Sequence, residues 1–158
     1  MEASSDDADL ERFLQKPAQW PNYSQYRPLN PNRKQIRVLQ IWMELETEEI
    51  NGKLLYVNLD DDPKYDALSY YWGPPDKQST VSIDGEEVLI RRSLHILLQT
   101  LCRRGQTLPV WLDVICINQA DIEERNWQVS IMHEIFRGAA CVKAWIGEPT
   151  SDIDYAFD

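Results

Sequence analysis

The sequence is poor in the residues that build metal centres, disulfide frameworks and nucleic-acid surfaces. It carries two histidines and three cysteines in 158 residues. Cys102, Cys116 and Cys141 are scattered, and each lies in an apolar segment where a free thiol behaves as a small hydrophobe. A disulfide scaffold is excluded and a reducing compartment is expected. His95 and His133 have no neighbouring Cys or His, so the ligand spacing of a structural zinc site is missing and no metal is expected. Basic residues are outnumbered 16 to 26, for a net charge of −10. Nucleic-acid binding draws its affinity from clustered Lys and Arg, so DNA and RNA are not expected partners. No run approaches the roughly 20 apolar residues of a spanning helix. The first residues also lack the basic-then-apolar order of a secretory signal. Asn22-Tyr23-Ser24 spells a glycosylation acceptor, which has no meaning without export. A cytoplasmic protein with no membrane span is the expectation. There is no Gly-x-Ser-x-Gly elbow, Walker loop, paired-His helix or Gly-x-Gly-x-x-Gly turn, which excludes the hydrolases, phosphotransferases and dehydrogenases built on them.

What is present suits one ordinary domain, with 43% hydrophobic residues. Residues 1–34 read as an acidic, proline-containing leader, draped over the domain or detached from it, with a short helix possible over residues 10–15. Residues 35–150 read as the core, and 151–158 as the start of a further segment. Residues 36–45 (IRVLQIWMEL) and 53–59 (KLLYVNL) alternate like strands, with a turn expected at Asn51-Gly52. Residues 65–72 (YDALSYYW) predict a strand covered on both faces, ended by Gly73-Pro74-Pro75. Residues 81–83 and 87–90 flank Asp84-Gly85, a pair suited to the positive φ of a tight hairpin. A leucine stripe, Leu94, Leu97, Leu98 and Leu101, predicts a helix from Ser93 to about Arg104, with Gly105 as its stop. Residues 110–117 (VWLDVICI) predict a strand, residues 121–140 a second helix and residues 141–146 (CVKAWI) a last strand. Strand alternating with helix predicts an α/β fold, a mainly parallel sheet flanked by helices and carrying inserted β-hairpins.

In such sheets ligands bind beyond the carboxyl ends of strands. Two blocks that mix aromatic bulk with hydrogen-bonding groups fall there. One holds Ser69, Tyr70 and Trp72; the other runs from Trp111 through Asp113 to Asn118 and Gln119. The aromatics suit a pocket wall or simple core packing. On the second helix, Val129, Ile131, Met132, Ile135, Phe136 and Ala139 share one side at about 100° per residue, while Glu123, Asn126, Ser130, His133, Glu134 and Arg137 share the other. Glu124, Arg125 and Gln128 fall within the apolar side. An inward carboxylate must be paired, hydrogen-bonded or in a cleft, because burying it bare costs several kcal/mol. Glu124 is therefore the catalytic candidate, with capping of the helix at Asp121 or pairing with Arg125 as the structural alternatives. Asp113 can equally accept backbone bonds, and Asn118 and Gln119 can equally be loop formers.

The same blocks resemble the heterokaryon-incompatibility (HET) domain family of fungi. Ile36-Arg37-Val38-Leu39, Tyr65 through Gly73, Trp111 through Gln119, and then Asp121, Glu124-Arg125, Gln128-Val129, Met132 and Ile135-Phe136 follow its pattern in order, over about residues 27–150. The family's later Arg-Ala-Trp run has no counterpart, so a natural short form or a fragment is expected. The resemblance implies an intracellular effector of non-self recognition that triggers programmed cell death, self-associates and answers to an NLR-like or other sensor. The family also looks distantly similar to TIR domains, which have a flavodoxin-like α/β sheet and in several branches cleave NAD with a helix glutamate. That likeness implies no bound cofactor but NAD as a substrate, with Glu124 stabilising the ribosyl centre and Ser69, Tyr70, Trp72, Asp113, Asn118, Gln119, Arg125 and Gln128 as binding residues.

Overall fold

The computed structural model describes residues 21–70 and 77–145. The expected helix over residues 10–15, together with Trp72, the proline break after it and residues 151–158, lies outside that range. Seven strands form one sheet: β1 (Gln35–Met43), β2 (Ile50–Asn58), β3 (Asp66–Tyr70), β4 (Gln78–Ile83), β5 (Glu86–Arg91), β6 (Val110–Trp111) and β7 (Cys141–Trp145). Their spatial order is β5-β4-β2-β1-β6-β3-β7. The pairs β2–β4, β3–β6 and β3–β7 are parallel, whereas β1–β2, β1–β6 and β4–β5 are antiparallel. The fold is α/β, but the sheet is mixed and not mainly parallel. The physical reason is that the two hairpins are not decorations: β1–β2 sits at the middle of the sheet. Alternation along a strand reveals its faces and says nothing about its neighbour.

The β1–β2 register runs from Gln35 opposite Asn58 to Met43 opposite Ile50. Its turn lies at residues 44–49, where the Glu44 N–H bonds to the Glu49 carbonyl at 2.9 Å and Glu48 adopts a φ of 59°. Gly52 is inside β2, not in the turn. A Cβ there would meet Leu39 Cδ1 at 2.8 Å, so the glycine permits close packing between strands. The β4–β5 turn is as expected, with Asp84 at φ 51° and Gly85 at φ 78°.

Helix α1 (Arg92–Arg103) buries Leu94, Leu97, Leu98 and Leu101. It ends in a Schellman arrangement in which the Gly105 N–H bonds to the Cys102 carbonyl and the Gln106 N–H to the Leu101 carbonyl, with Gly105 at φ 81°. By register, Leu39, Asp66, Leu68, Tyr70, Val110 and Lys143 share a face, and α1 packs on it. Ala67 and Trp111 look the other way, where Trp111 meets Phe136 edge to face at 5.6 Å.

The apolar run after Val110 leaves the sheet after two residues and coils into α2 (Asp113–Cys116). Periodicity cannot separate a buried strand from a buried helical turn over so few residues. The second long helix is also two: α3 (Ile122–Ser130) and α4 (Met132–Gly138), broken at Ile131 with φ −104° and ψ 9°. At the break the Ser130 hydroxyl donates to the Trp127 carbonyl at 2.5 Å, a back-bond that bends helices. Val129, placed on the inward side by a continuous helix, is consequently 55% exposed, while Ile135 is buried.

Candidate functional site: a buried arginine and glutamate

β1 is buried at four successive positions, residues 36–39, and one of them is Arg37, which is wholly inaccessible. A buried guanidinium demands an acceptor for each of its N–H groups. Nη1 donates to the Cys116 carbonyl and to Glu124 Oε2, both at 3.0 Å; Nη2 donates to the Arg27 carbonyl at 2.6 Å and to Glu124 Oε1 at 2.7 Å; Nε donates to the Tyr56 hydroxyl at 3.2 Å. Every donor is met. The rings of Tyr26 and Tyr56 lie 4.7 and 5.4 Å from the guanidinium carbon, adding cation–π attraction. Burial by itself lowers the Arg37 pKa, but the hydrogen bonds that Arg37 donates to Glu124 and Tyr56 outweigh it and the net shift is upward.

Glu124 is the other half. Besides the two-pronged grip of Arg37, its Oε2 accepts the Asn118 N–H at 2.6 Å. Asp121 caps α3 by accepting the Glu124 N–H at 3.1 Å, but the Glu124 carboxylate does not bond back to the cap as a capping box would have it: the Asp121 N–H donates to the Asn118 carbonyl at 3.1 Å. The partner of that carboxylate is Arg37, 87 residues away, and not its neighbour Arg125. Both carboxylate oxygens are engaged in holding β1, α3 and the turn between α2 and α3 in one geometry. The arrangement ties three elements together through one carboxylate.

Around the centre the polar residues serve the chain. Asn118 Oδ1 accepts the Ala120 N–H at 3.2 Å, and Gln119 Nε2 donates to the Asp113 carbonyl at 2.8 Å. Asp113 is half-buried and opens α2. Gln128 is fully buried; its Nε2 donates to the Gln35 carbonyl at 3.2 Å, while its Oε1 has no partner among the described residues. Arg125 is half-buried on α3. Asp113, Asn118, Gln119, Glu124, Arg125 and Gln128 thus gather along α2, α3 and their turn. Tyr70 does not join them: its hydroxyl meets Ser93 Oγ at 2.5 Å at the start of α1. Ser69 is exposed on the other face of β3. Trp72 is outside the described residues.

The residues 21–30 enter the centre from the other side. Tyr23 is buried and donates to Asp84 Oδ2 at 2.7 Å; Tyr26 donates to the Ile115 carbonyl at 2.5 Å. Arg27 lies over the Tyr56 ring at 4.3 Å. Burial raises the pKa of both Tyr23 and Tyr26, and burial pushes the Cys116 thiol up to about 12. Sequence reasoning missed Arg37 and its tyrosines as members of the centre. The available signal was a lone charge inside an apolar strand. Among the described residues no cluster of His, Cys, Asp and Glu is arranged to hold a metal, and no helix is long and apolar enough to cross a membrane.

Fold and centre together define a mixed α/β module locked by a buried, saturated ion pair. Residues 65–158 match the family model described as Heterokaryon incompatibility protein (HET), and the chain belongs to that family. A similar curated protein is Heterokaryon incompatibility protein 6, OR allele, of Neurospora crassa, 36% identical over 109 residues. The matched region is 61% of this chain and 16% of that relative. No solved structure matches.

Proposed function

We propose that the chain serves heterokaryon incompatibility as a cytoplasmic effector module that promotes programmed cell death through self-association, under an NLR-like or other sensor. The observation that carries the non-catalytic reading is the Glu124 carboxylate, whose two oxygens are held by Arg37 and the Asn118 N–H. Family membership supports the incompatibility role, since the Neurospora crassa relative bears that name. Glu123, His133 and Arg137 are exposed on α3 and α4 and offer a face for contact between copies. The TIR-like or flavodoxin-like description of the sheet belongs to the same proposal; the parallel β6–β3–β7 trio supports it. The competing reading, an NAD glycohydrolase using Glu124, requires that carboxylate to leave Arg37 and face a ribosyl centre.

One experiment separates them. Wild type and Glu124→Gln, which keeps the side-chain shape, are concentrated and incubated with NAD, and the dinucleotide is followed by chromatography. Unchanged NAD with both proteins is expected. Loss of NAD with wild type but not with Glu124→Gln overturns the non-catalytic reading. In cells, charge reversal at Glu123 and Arg137 is expected to abolish killing while leaving the fold intact by circular dichroism; undiminished killing refutes the contact face.

A further inference from the structure

Residues 21–30 carry no regular secondary structure and are pinned to the domain at two ends, the β4–β5 turn and the buried centre. The pins at the turn are two carboxylates. Asp84 Oδ2 accepts the Tyr23 hydroxyl at 2.7 Å and the Leu54 N–H at 3.3 Å. Glu86 accepts the Ser24 N–H at 2.8 and 3.1 Å, and its Oε1 also accepts the Ser24 hydroxyl. Beside them Asn22 Oδ1 accepts the Leu89 N–H of the edge strand β5 at 2.9 Å. At the other end the Arg27 carbonyl accepts Arg37 Nη2, and the Tyr26 ring lies against the guanidinium. Ser24 is exposed and Glu86 is half-buried. The Ser24 hydroxyl is therefore the catch of a strap that reaches Arg37. Other described serines engage groups without negative charge: Ser79 meets His95, Ser93 meets Tyr70 and Ser130 meets the Trp127 carbonyl.

We propose that Ser24 is a phosphorylation site and that its phosphate releases residues 22–27 from the domain. The co-reactants are ATP and a serine/threonine protein kinase. The bond from Ser24 Oγ to the γ-phosphorus forms, the bond from that phosphorus to the ADP oxygen breaks, and the hydroxyl proton passes to a base of the kinase. An exposed hydroxyl on chain outside any helix or strand is open to such an enzyme without unfolding the sheet. The modification reverses the sign of the contact. The hydroxyl donates to Glu86, whereas a phosphoserine at neutral pH carries a charge of about −1.5 to −2 and offers acceptors to a group that is itself an acceptor. Asp84, two residues before Glu86 in the same turn, adds a second negative charge against it. Once Ser24 leaves Glu86, its neighbours Asn22 and Tyr23 leave with it, and the Leu89 N–H loses its acceptor at the sheet edge. Further along, Arg37 loses the Arg27 carbonyl.

The test uses the full chain with phosphoserine placed at position 24 by stop-codon suppression, and follows hydrogen exchange of the Ser24 and Leu89 amides by NMR. The phosphate is expected to speed exchange at both about tenfold or more, a difference of roughly 1.4 kcal/mol in opening free energy, while amides at the centre of the β1–β2 pairing keep their rates. Ser24→Ala removes the hydroxyl and adds no charge. It is expected to change Leu89 exchange by under about threefold, because the Ser24 N–H contact with Glu86 depends only on the backbone. Combining the phosphate with Glu86→Gln, which keeps an acceptor oxygen and removes the charge, is expected to bring Leu89 back to within about threefold of wild type. Full chain produced in a fungal host is expected to carry phosphate on Ser24 when its peptides are mapped by mass spectrometry. The proposal fails if the phosphate leaves Leu89 exchange unchanged, if Ser24→Ala opens the strap as far, if Glu86→Gln brings no recovery, or if Ser24 from the fungal host is unmodified.

Discussion

Among the described residues, two carboxylate–cation contacts have a mostly buried carboxylate, and they are built in opposite ways. Glu124 meets Arg37 through both oxygens, at 2.7 and 3.0 Å, and every N–H of the guanidinium has an acceptor. Asp66 meets Lys143 through one oxygen at 3.6 Å, with the lysine side chain 20% exposed and a cleft alongside. The first is a planar fork matched to a planar carboxylate; the second is a point charge on a flexible stem. Burial without saturation is expensive, so the closed pair has to be complete, whereas the half-open pair stands where solvent reaches its lysine. The difference teaches how burial sets the standard for a charged contact: the deeper the pair, the more completely its hydrogen bonds are met.

Removing one partner of the closed pair tests this most severely. Glu124→Ala is expected to lower the unfolding free energy by about 3–5 kcal/mol, since it strands a buried guanidinium. Replacing both residues by apolar ones, Arg37→Met with Glu124→Leu, is expected to recover much of that loss, which denaturant titration of the three proteins would show. A double variant no more stable than Glu124→Ala would mean that the pair's value lies in its hydrogen bonds to Arg27, Cys116 and Asn118. At the open pair, Lys143→Met is expected to cost about 1 kcal/mol by the same titration, because a long ion contact and a hydrogen bond to Gln106 near solvent contribute little. A loss as large as that of Glu124→Ala would erase the contrast. The mildest probe changes no residue. Cys116, whose carbonyl belongs to the closed centre, carries a thiol pushed up to about 12 by burial. At pH 8 it is expected to stay unmodified by a thiol reagent until the protein unfolds, while half-buried Cys141, two residues from Lys143, reacts in the native state.

Much of this architecture was legible in the amino-acid pattern, and the failures have physical causes. The leucine stripe of α1, its Gly105 stop and the Asp84-Gly85 hairpin are local devices, and local spacing reveals them. Glu124 was legible as an inward carboxylate because helical periodicity set it among apolar residues. Its partner was not, because Arg37 is distant in sequence and only the sheet brings it near. The mixed sheet was missed for the same reason, since pairing is a long-range property. The contact of Asp66 with Lys143 was not foreseen: each sits singly in an expected strand, and neighbouring strands β3 and β7 bring them together.

The acceptors of Arg37 come from positions 27, 56, 116 and 124, before it and long after it. A ribosome adding about 5–20 residues per second therefore makes the arginine about 4–17 s before the glutamate exists. During that interval β1 can pair with β2, yet its central charge has no counter-ion and cannot be shut away from water. The amino-terminal half is therefore expected to stay open around Arg37 until residue 124 has been made, since burying the bare guanidinium costs several kcal/mol.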